Sequence, residues 1–289
     1  MKRVPYRVFR KTHRLLAVLF LVLGFHAVVL MPFAYWNQLI GSVMALLMTT
    51  GAIAALWILF DRVGLSRRVV GQVKYVASYA SMNLLEVFVQ LNNAWAGHKA
   101  GQFAFVTFNL NEGAHPFTIS SAWEADGHMR FIIKELGDYT RTLALTIKPG
   151  DLVTIEGPYG QFDFTGRNQG QIWIGGGVGI TPFIARMKAL AIHNDGNPID
   201  LFYCTAELDV SASDLLKHDA SAARVNLHAI LSARDGRLDG KRIRDTVPNW
   251  KANDIWFCGP AGLGKAVRRD LISSGMHPDA FHQELFEMR

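Results

Sequence analysis

The chain has 289 residues, enough for two domains of ordinary size, and carries a formal net charge of +6. Its positive mean hydropathy of +0.14 is high for a wholly water-soluble protein. The basic excess does not mark a nucleic-acid partner: residues 1–75 hold ten Lys and Arg against one acid, Asp61, while the rest has more acids than bases. Two cysteines, Cys204 and Cys258, exclude a disulfide framework and also a plant-type iron–sulfur cluster, which needs four thiolates.

Residues 15–34 form an uncharged apolar run of 20, and residues 39–60 another of 22. Each is long enough to cross a hydrocarbon core about 30 Å thick at 1.5 Å per helical residue. A signal peptide would account for the first run but leaves the second unexplained. Basic residues flank both outer ends, and the turn Tyr35-Trp36-Asn37-Gln38 carries none. The expectation is a two-helix transmembrane hairpin in the cell (inner) membrane, multi-pass, with both termini cytoplasmic and the lipid bilayer as a partner. His13 and His26 fall on the first helix, about 20 Å apart along its axis and about 140° apart around it. That separation suits two stacked haems better than one shared ion. Each would need a second ligand from another helix, and no other histidine lies in a span.

After a basic, glycine-punctuated connector at 61–75, short β-rich segments follow at 84–92, 102–109, 129–134, 143–146 and 151–156. Asn111-Glu112-Gly113, Asp126-Gly127 and Pro149-Gly150 supply turns between them. This pattern predicts a small antiparallel β-barrel, with Glu156-Gly157-Pro158-Tyr159-Gly160 as the tight turn that ends it. Within it, His115-Pro116-Phe117-Thr118 places an aromatic and a hydroxyl side by side on a strand, facing opposite ways. A flat redox ring would find its face covered by Phe117 and its polar edge met by Thr118. An ordinary strand entry reads the same. Gly137-Asp138-Tyr139-Thr140 can open a short helix whose amides attract phosphate, with Lys134 adding a cation.

The last third alternates strands and helices. Strand 171–174 runs into Gly175-Gly176-Gly177-Val178-Gly179-Ile180, where Thr181 can cap the helix at 183–193 and Pro182 suits its first turn. Glycines between strand and helix let a backbone approach a pyrophosphate, although this is neither the G-x-G-x-x-G fingerprint nor a P-loop. Strands at 199–205, 225–231 and 254–258 alternate with helices at 213–216, from 241, and at 264–273. The order predicts an α/β doubly wound parallel sheet with its ligand at the carboxyl ends of the strands, where Cys258-Gly259-Pro260 also lies. The domains expected are 1–75 hairpin and linker, 76–168 barrel, and 169–289 α/β domain.

In this order the motifs resemble those of the ferric reductase/NADPH oxidase family, the membrane branch of the ferredoxin–NADP reductase superfamily. His115-Pro116-Phe117-Thr118 is similar to its flavin motif, Gly175–Pro182 to its nicotinamide-nucleotide loop, and Phe257-Cys258-Gly259-Pro260 to its loop near the nicotinamide. The ending Phe281-His282-Gln283-Glu284-Leu285-Phe286 resembles the C-terminus where an aromatic covers the flavin. His13 and His26 match the family's fifth membrane helix, whose haem partners lie in earlier spans that this chain does not contain.

The resemblance implies FAD, NADPH or NADH, and haem b as cofactors. Phe117 and Phe286 would flank the isoalloxazine, Thr118 would sit near its reactive nitrogen, and His115, Lys134, Gly137 and Thr140 would serve the FAD phosphates. Gly175, Gly176, Gly177, Gly179, Thr181 and Pro182 would form the pyrophosphate loop, and Cys258, Gly259 and Pro260 would lie by the transferred hydride. Glu207 would repel a 2′-phosphate, whereas Ser232 and Arg234 resemble the superfamily's 2′-phosphate ligands, and on that resemblance NADPH is the expected dinucleotide over NADH. The expected activity takes hydride from cytoplasmic NAD(P)H onto FAD and passes single electrons to a membrane haem and then to ferric iron or oxygen. A membrane haem subunit or further spans would complete that path. The alternatives are a membrane-tethered reductase serving a separate redox partner, and a non-catalytic membrane subunit.

Overall fold

The structure, a computed structural model, describes residues 6–92, 95–110, 112–135, 137–168, 170–207 and 209–284. It divides into two compact units, Met1–Ser66 and Arg67–Arg289.

The first unit is a helical hairpin of α1 (Tyr6–Leu30), the single turn α2 (Phe33–Trp36) and α3 (Leu39–Leu59). Arg14 near the start of α1 pairs with Asp61 just after α3 at 3.2 Å, so the two long helices run antiparallel. By length and composition both are apolar enough to cross a membrane. Leu23, Phe25 and Leu46 are each more than 60% exposed. A helix apolar around its whole circumference needs an apolar surrounding.

The second unit begins with the barrel: β1 (Arg68–Tyr79), β2 (Leu84–Leu91), β3 (Phe103–Thr107), β4 (His115–Thr118), β5 (His128–Lys134), α4 (Asp138–Thr146) and β6 (Leu152–Tyr159). The six strands lie in the order β4-β3-β6-β1-β2-β5. Residues at every second position point inward, so that Val73, Leu85, Val87, Val89, Met129, Phe131, Ile133 and Ile155 share one core. Each such buried side chain contributes about 1.5–3 kcal/mol. The two outer strands meet where Ile119 bridges Phe131 and the Ser120 amide donates to the Arg130 carbonyl at 2.8 Å. That contact closes the sheet on itself.

Three local expectations are corrected here. The strand β1 starts at Arg68, inside the stretch read as a connector. A register shift between Val73 and Tyr75 had broken its alternation. Residues 143–146 are helical, not extended: Tyr139, Leu143 and Ile147 recur every fourth residue and pack on the barrel core. The segment 156–160 is not a tight turn, because β6 continues through Tyr159 to pair with Phe103.

The remainder is a parallel sheet with helices on both faces: β7 (Gly170–Gly176), α5 (Thr181–Ile192), β8 (Ile199–Thr205), α6 (Val210–Ala223), β9 (Asn226–Leu231), α7 (Ser232–Asp235), α8 (Gly240–Thr246), β10 (Asn253–Cys258), α9 (Ala261–Ser273) and β11 (Phe281–Glu284). The order β11-β10-β7-β8-β9 puts β7 at the centre, and every residue of β7 is buried. One core, with Trp173, Phe183, Leu201 and Trp256, lies on one face, and the other, with Ile172, Phe202, Phe257 and Leu271, on the opposite face. The chain leaves β7 first towards β8 and later returns to its other side as β10. The crevice at the carboxyl ends of β7 and β10 is therefore a topological switch point, where such sheets take their ligands.

Candidate flavin and dinucleotide site

The barrel contributes β4. Phe117 lies opposite Ala104 and packs near Phe108 and Phe131, with ring centroids 6.1 and 6.5 Å away. Thr118 lies opposite Phe103 and is buried, and its Oγ1 has no hydrogen-bond partner among the described residues. The fully buried Ser120 hydroxyl is in the same state. A buried hydroxyl without a partner costs about 1–3 kcal/mol. Thr118 lies on the strand face opposite Phe117, and each hydroxyl keeps a donor for a polar group.

Pro116 faces Phe105 across the ladder. His115 stacks on Tyr139 at 4.0 Å and 16°, which ties β4 to the first turn of α4. Burial, aided by Glu112, pushes the Tyr139 hydroxyl up to about 12. At the start of α4 the Gly137 amide donates to Thr140 Oγ1 at 3.1 Å, and that hydroxyl donates to the Gly137 carbonyl at 3.2 Å. These two bonds fix the turn, and the first amides of a helix are the groups an anion site uses.

At the switch point, β7 ends in Gly175 and Gly176, and the chain turns through Gly177 at φ +57° into a one-turn helix, Gly177–Ile180. A Cβ on Gly179 would stand 2.2 Å from the Cys258 carbonyl oxygen. These glycines therefore let two loops pack backbone against backbone, in addition to leaving room for a ligand. Thr181 does not cap α5: it is the first helical residue, and its hydroxyl donates to the Val178 carbonyl at 2.6 Å. Pro182 follows it, buried, in the first turn.

Cys258 is fully buried at the end of β10, and burial with the neighbouring Glu284 holds its thiol well above the usual range. It is a thiol, not a thiolate. Glu284 pairs with Cys258 in the β10–β11 register, and burial pushes its carboxyl up to about 7. Its Oε2 has no partner among the described residues.

Both domains line a cavity of about 730 Å³ whose walls include Asn83, Lys134, Gly177, Glu207, Ser232 and Arg237. Gly176 and Pro260 also face it, and Gly259 packs on Gly176. Lys134 sits with its Nζ 4.0 Å from where a Cβ on Gly177 would be, beside the glycine turn. Arg234 is not among the cavity's lining residues: it gives Nε and Nη2 to Asp235 at 2.8 and 2.9 Å. Arg237 and Cys204 line the cavity instead, and burial pushes the Cys204 thiol up to about 11. Arg237, directly after Gly236, was a sequence signal left unread. Phe286 lies outside the described residues. His13 and His26 are both exposed on α1, and no cluster of three candidate metal ligands occurs among the described residues.

A closed antiparallel barrel is followed by a parallel sheet, with a cavity of about 730 Å³ lined by residues of both. Residues 70–163 match an FAD-binding domain family. The chain is 27% identical over 197 residues to the toluate 1,2-dioxygenase electron transfer component of Pseudomonas putida, covering 64% of this chain and 58% of that protein. It is 32% identical over 150 residues to the carnitine monooxygenase reductase subunit of Escherichia coli, covering 51% and 44%. It thus spans about half the length of the relatives it matches. Its fold is similar to the flavohem-like FAD/NAD binding domain of nitric oxide dioxygenase from Vibrio cholerae, with TM-score 0.65, 19% identity, and 75% and 98% of the two chains covered. The chain thus carries an FAD-binding domain over residues 70–163, and the two-domain fold behind it is that of the similar FAD/NAD-binding structure.

Proposed function

We propose that this chain is a membrane-anchored flavin reductase that takes hydride from NAD(P)H and delivers single electrons to a separate redox partner. The observation that carries the reading is the match of residues 70–163 to an FAD-binding domain, on a barrel where Thr118 and Ser120 hold buried hydroxyls without a partner among the described residues. Bound FAD would supply the chemistry that accepts two electrons as hydride and releases them one at a time. Phe117 would cover one face of the ring and Thr118 Oγ1 would meet its polar edge. The first turn of α4, with Gly137 and Thr140, would hold the FAD phosphates, and His115 would support that turn through Tyr139.

Lys134 and the Gly177 turn would grip the dinucleotide pyrophosphate. The Cys258 backbone, packed against Gly179, would help set the floor on which the nicotinamide lies, with its buried thiol neutral. Glu284, its carboxyl pushed up to about 7 by burial, would hold a proton next to it on the acid side of neutrality. The two apolar helices would hold the catalytic unit at the cytoplasmic face of the inner membrane.

A second reading rests on a specific observation, the exposure of both His13 and His26 along one apolar helix. Facing outward, they could be met by histidines of other helices, and the electrons would then pass through haem to ferric iron or oxygen, as in the ferric reductase branch. One experiment addresses both readings: the absorption spectrum of the detergent-purified full chain, with and without NADH or NADPH under anaerobic conditions. Flavin bands bleached by the dinucleotide support the reductase, and a colourless protein refutes it. A Soret band lost in His26→Ala would favour the haem path.

A further inference from the structure

We infer that the dinucleotide is NADH, selected by Glu207 at the rim of the cavity. The inference rests on the dinucleotide reading of that cavity and concerns its adenosine end, where Ile230, Leu238 and Leu263 supply apolar walls next to Glu207, Ser232 and Arg237. The turn after β8 is pinned in place. Thr205 Oγ1 donates to the Glu207 carbonyl at 2.6 Å, and Ser232 Oγ donates to the Thr205 carbonyl at 3.1 Å. The backbone that carries Glu207 is thereby held at the cavity wall, and the Ser232 proton is already used.

A 2′-phosphate brings nearly two negative charges and is recognised by converging cationic donors, typically a guanidinium fork. The residue placed for that task, Arg234, spends its fork on both oxygens of Asp235. Asp235 is held ionised by that fork and by the Leu231 amide, 2.9 Å away. That leaves Arg237 as the cation on this stretch of wall, in a cavity it shares with the opposing charge of Glu207. A neutral ribose diol suits this arrangement, because a carboxylate accepts hydrogen bonds from two hydroxyls at once. A phosphate in the same place would face a like charge.

The test uses the full chain in detergent and two adenosine probes, 5′-AMP and 2′,5′-ADP, with binding read by calorimetry and turnover by NADH and NADPH oxidation. The expected result is 5′-AMP binding at least about tenfold more tightly than 2′,5′-ADP, with kcat/KM favouring NADH by a similar factor. Glu207→Gln should shrink the ratio, and Glu207→Lys should invert it. Tighter binding of 2′,5′-ADP, lost in Arg237→Ala, would overturn the NADH assignment while leaving the reductase reading intact. Binding of neither probe would overturn both.

Discussion

Replacing Gly179 by alanine should disable the junction of the two nucleotide loops more severely than any other single methyl added there. The new Cβ would lie 2.2 Å from the Cys258 carbonyl oxygen, 2.6 Å from its carbon and 2.9 Å from the Gly259 nitrogen. Ordinary contact between such atoms starts near 3.5 Å, so the loops must part by about 1 Å. All three obstacles are backbone atoms, and no flexible side chain can swing aside. Overpacking of this kind costs typically about 1–3 kcal/mol, and the rigid surroundings place this case near 3.

For a unit of this size that corresponds to a fall in melting temperature of about 6–12 °C. Gly177→Ala is the matched control. Gly177 has φ +57°, but the nearest atom to its added Cβ is Lys134 Nζ at 4.0 Å, so only the left-handed conformation is penalised, by about 1–2 kcal/mol. Differential scanning of both variants in detergent, with KM for the dinucleotide measured on the same samples, checks the ordering. If Gly179→Ala melts no lower than Gly177→Ala, the close packing of the two loops is not what requires a glycine there.

Three further expectations follow from the site and its supports. Lys134→Ala should raise KM for the dinucleotide by about tenfold while leaving the FAD content of purified protein unchanged, because its Nζ lies by the Gly177 turn; loss of flavin would refute that placement. Glu284 has a folded-state pKa of about 7 against an ordinary value of 4.5, so the unfolded chain releases the proton first and stability falls as pH rises from 4.5 to 7. Glu284→Gln should flatten that part of the pH–stability curve by at most about 3 kcal/mol, read from urea midpoints. Glu86→Gln should cost about 3 kcal/mol because it strips the buried counter-charge from the half-buried Arg130 guanidinium, and the double replacement Glu86→Leu with Arg130→Met should recover much of the loss in chemical unfolding.

Hydrophobic period and glycine position carried most of the fold into the sequence. The parallel sheet was legible because its strands are continuous apolar runs ended by glycine, as in 171–176 and 254–259. β1 was not, because the irregularity between Val73 and Tyr75 shifts the alternation and places a lysine in the middle of the strand. α4 was misread at its end because Leu143 and Thr146, taken alone, fit a strand as well as a helix, and only their spacing from Tyr139 decides. Among site residues, position along the chain says which loop a group belongs to but not which neighbour claims it. Arg234 illustrates this: its donors go to Asp235, one residue away, and the cavity is faced by Arg237 instead. Lys134 shows the converse, a barrel residue whose charge ends up beside a loop more than 40 positions downstream.

The strand bearing Phe117 and Thr118 is also the hoop that shuts the barrel, through Ile119 and Ser120. Cutting or displacing it would bare two ribbons of amides and carbonyls at once, and unguarded ribbons of that kind invite self-association between chains. Damage to this strand would therefore show itself as clumping of the protein, not only as a local change at Phe117 and Thr118.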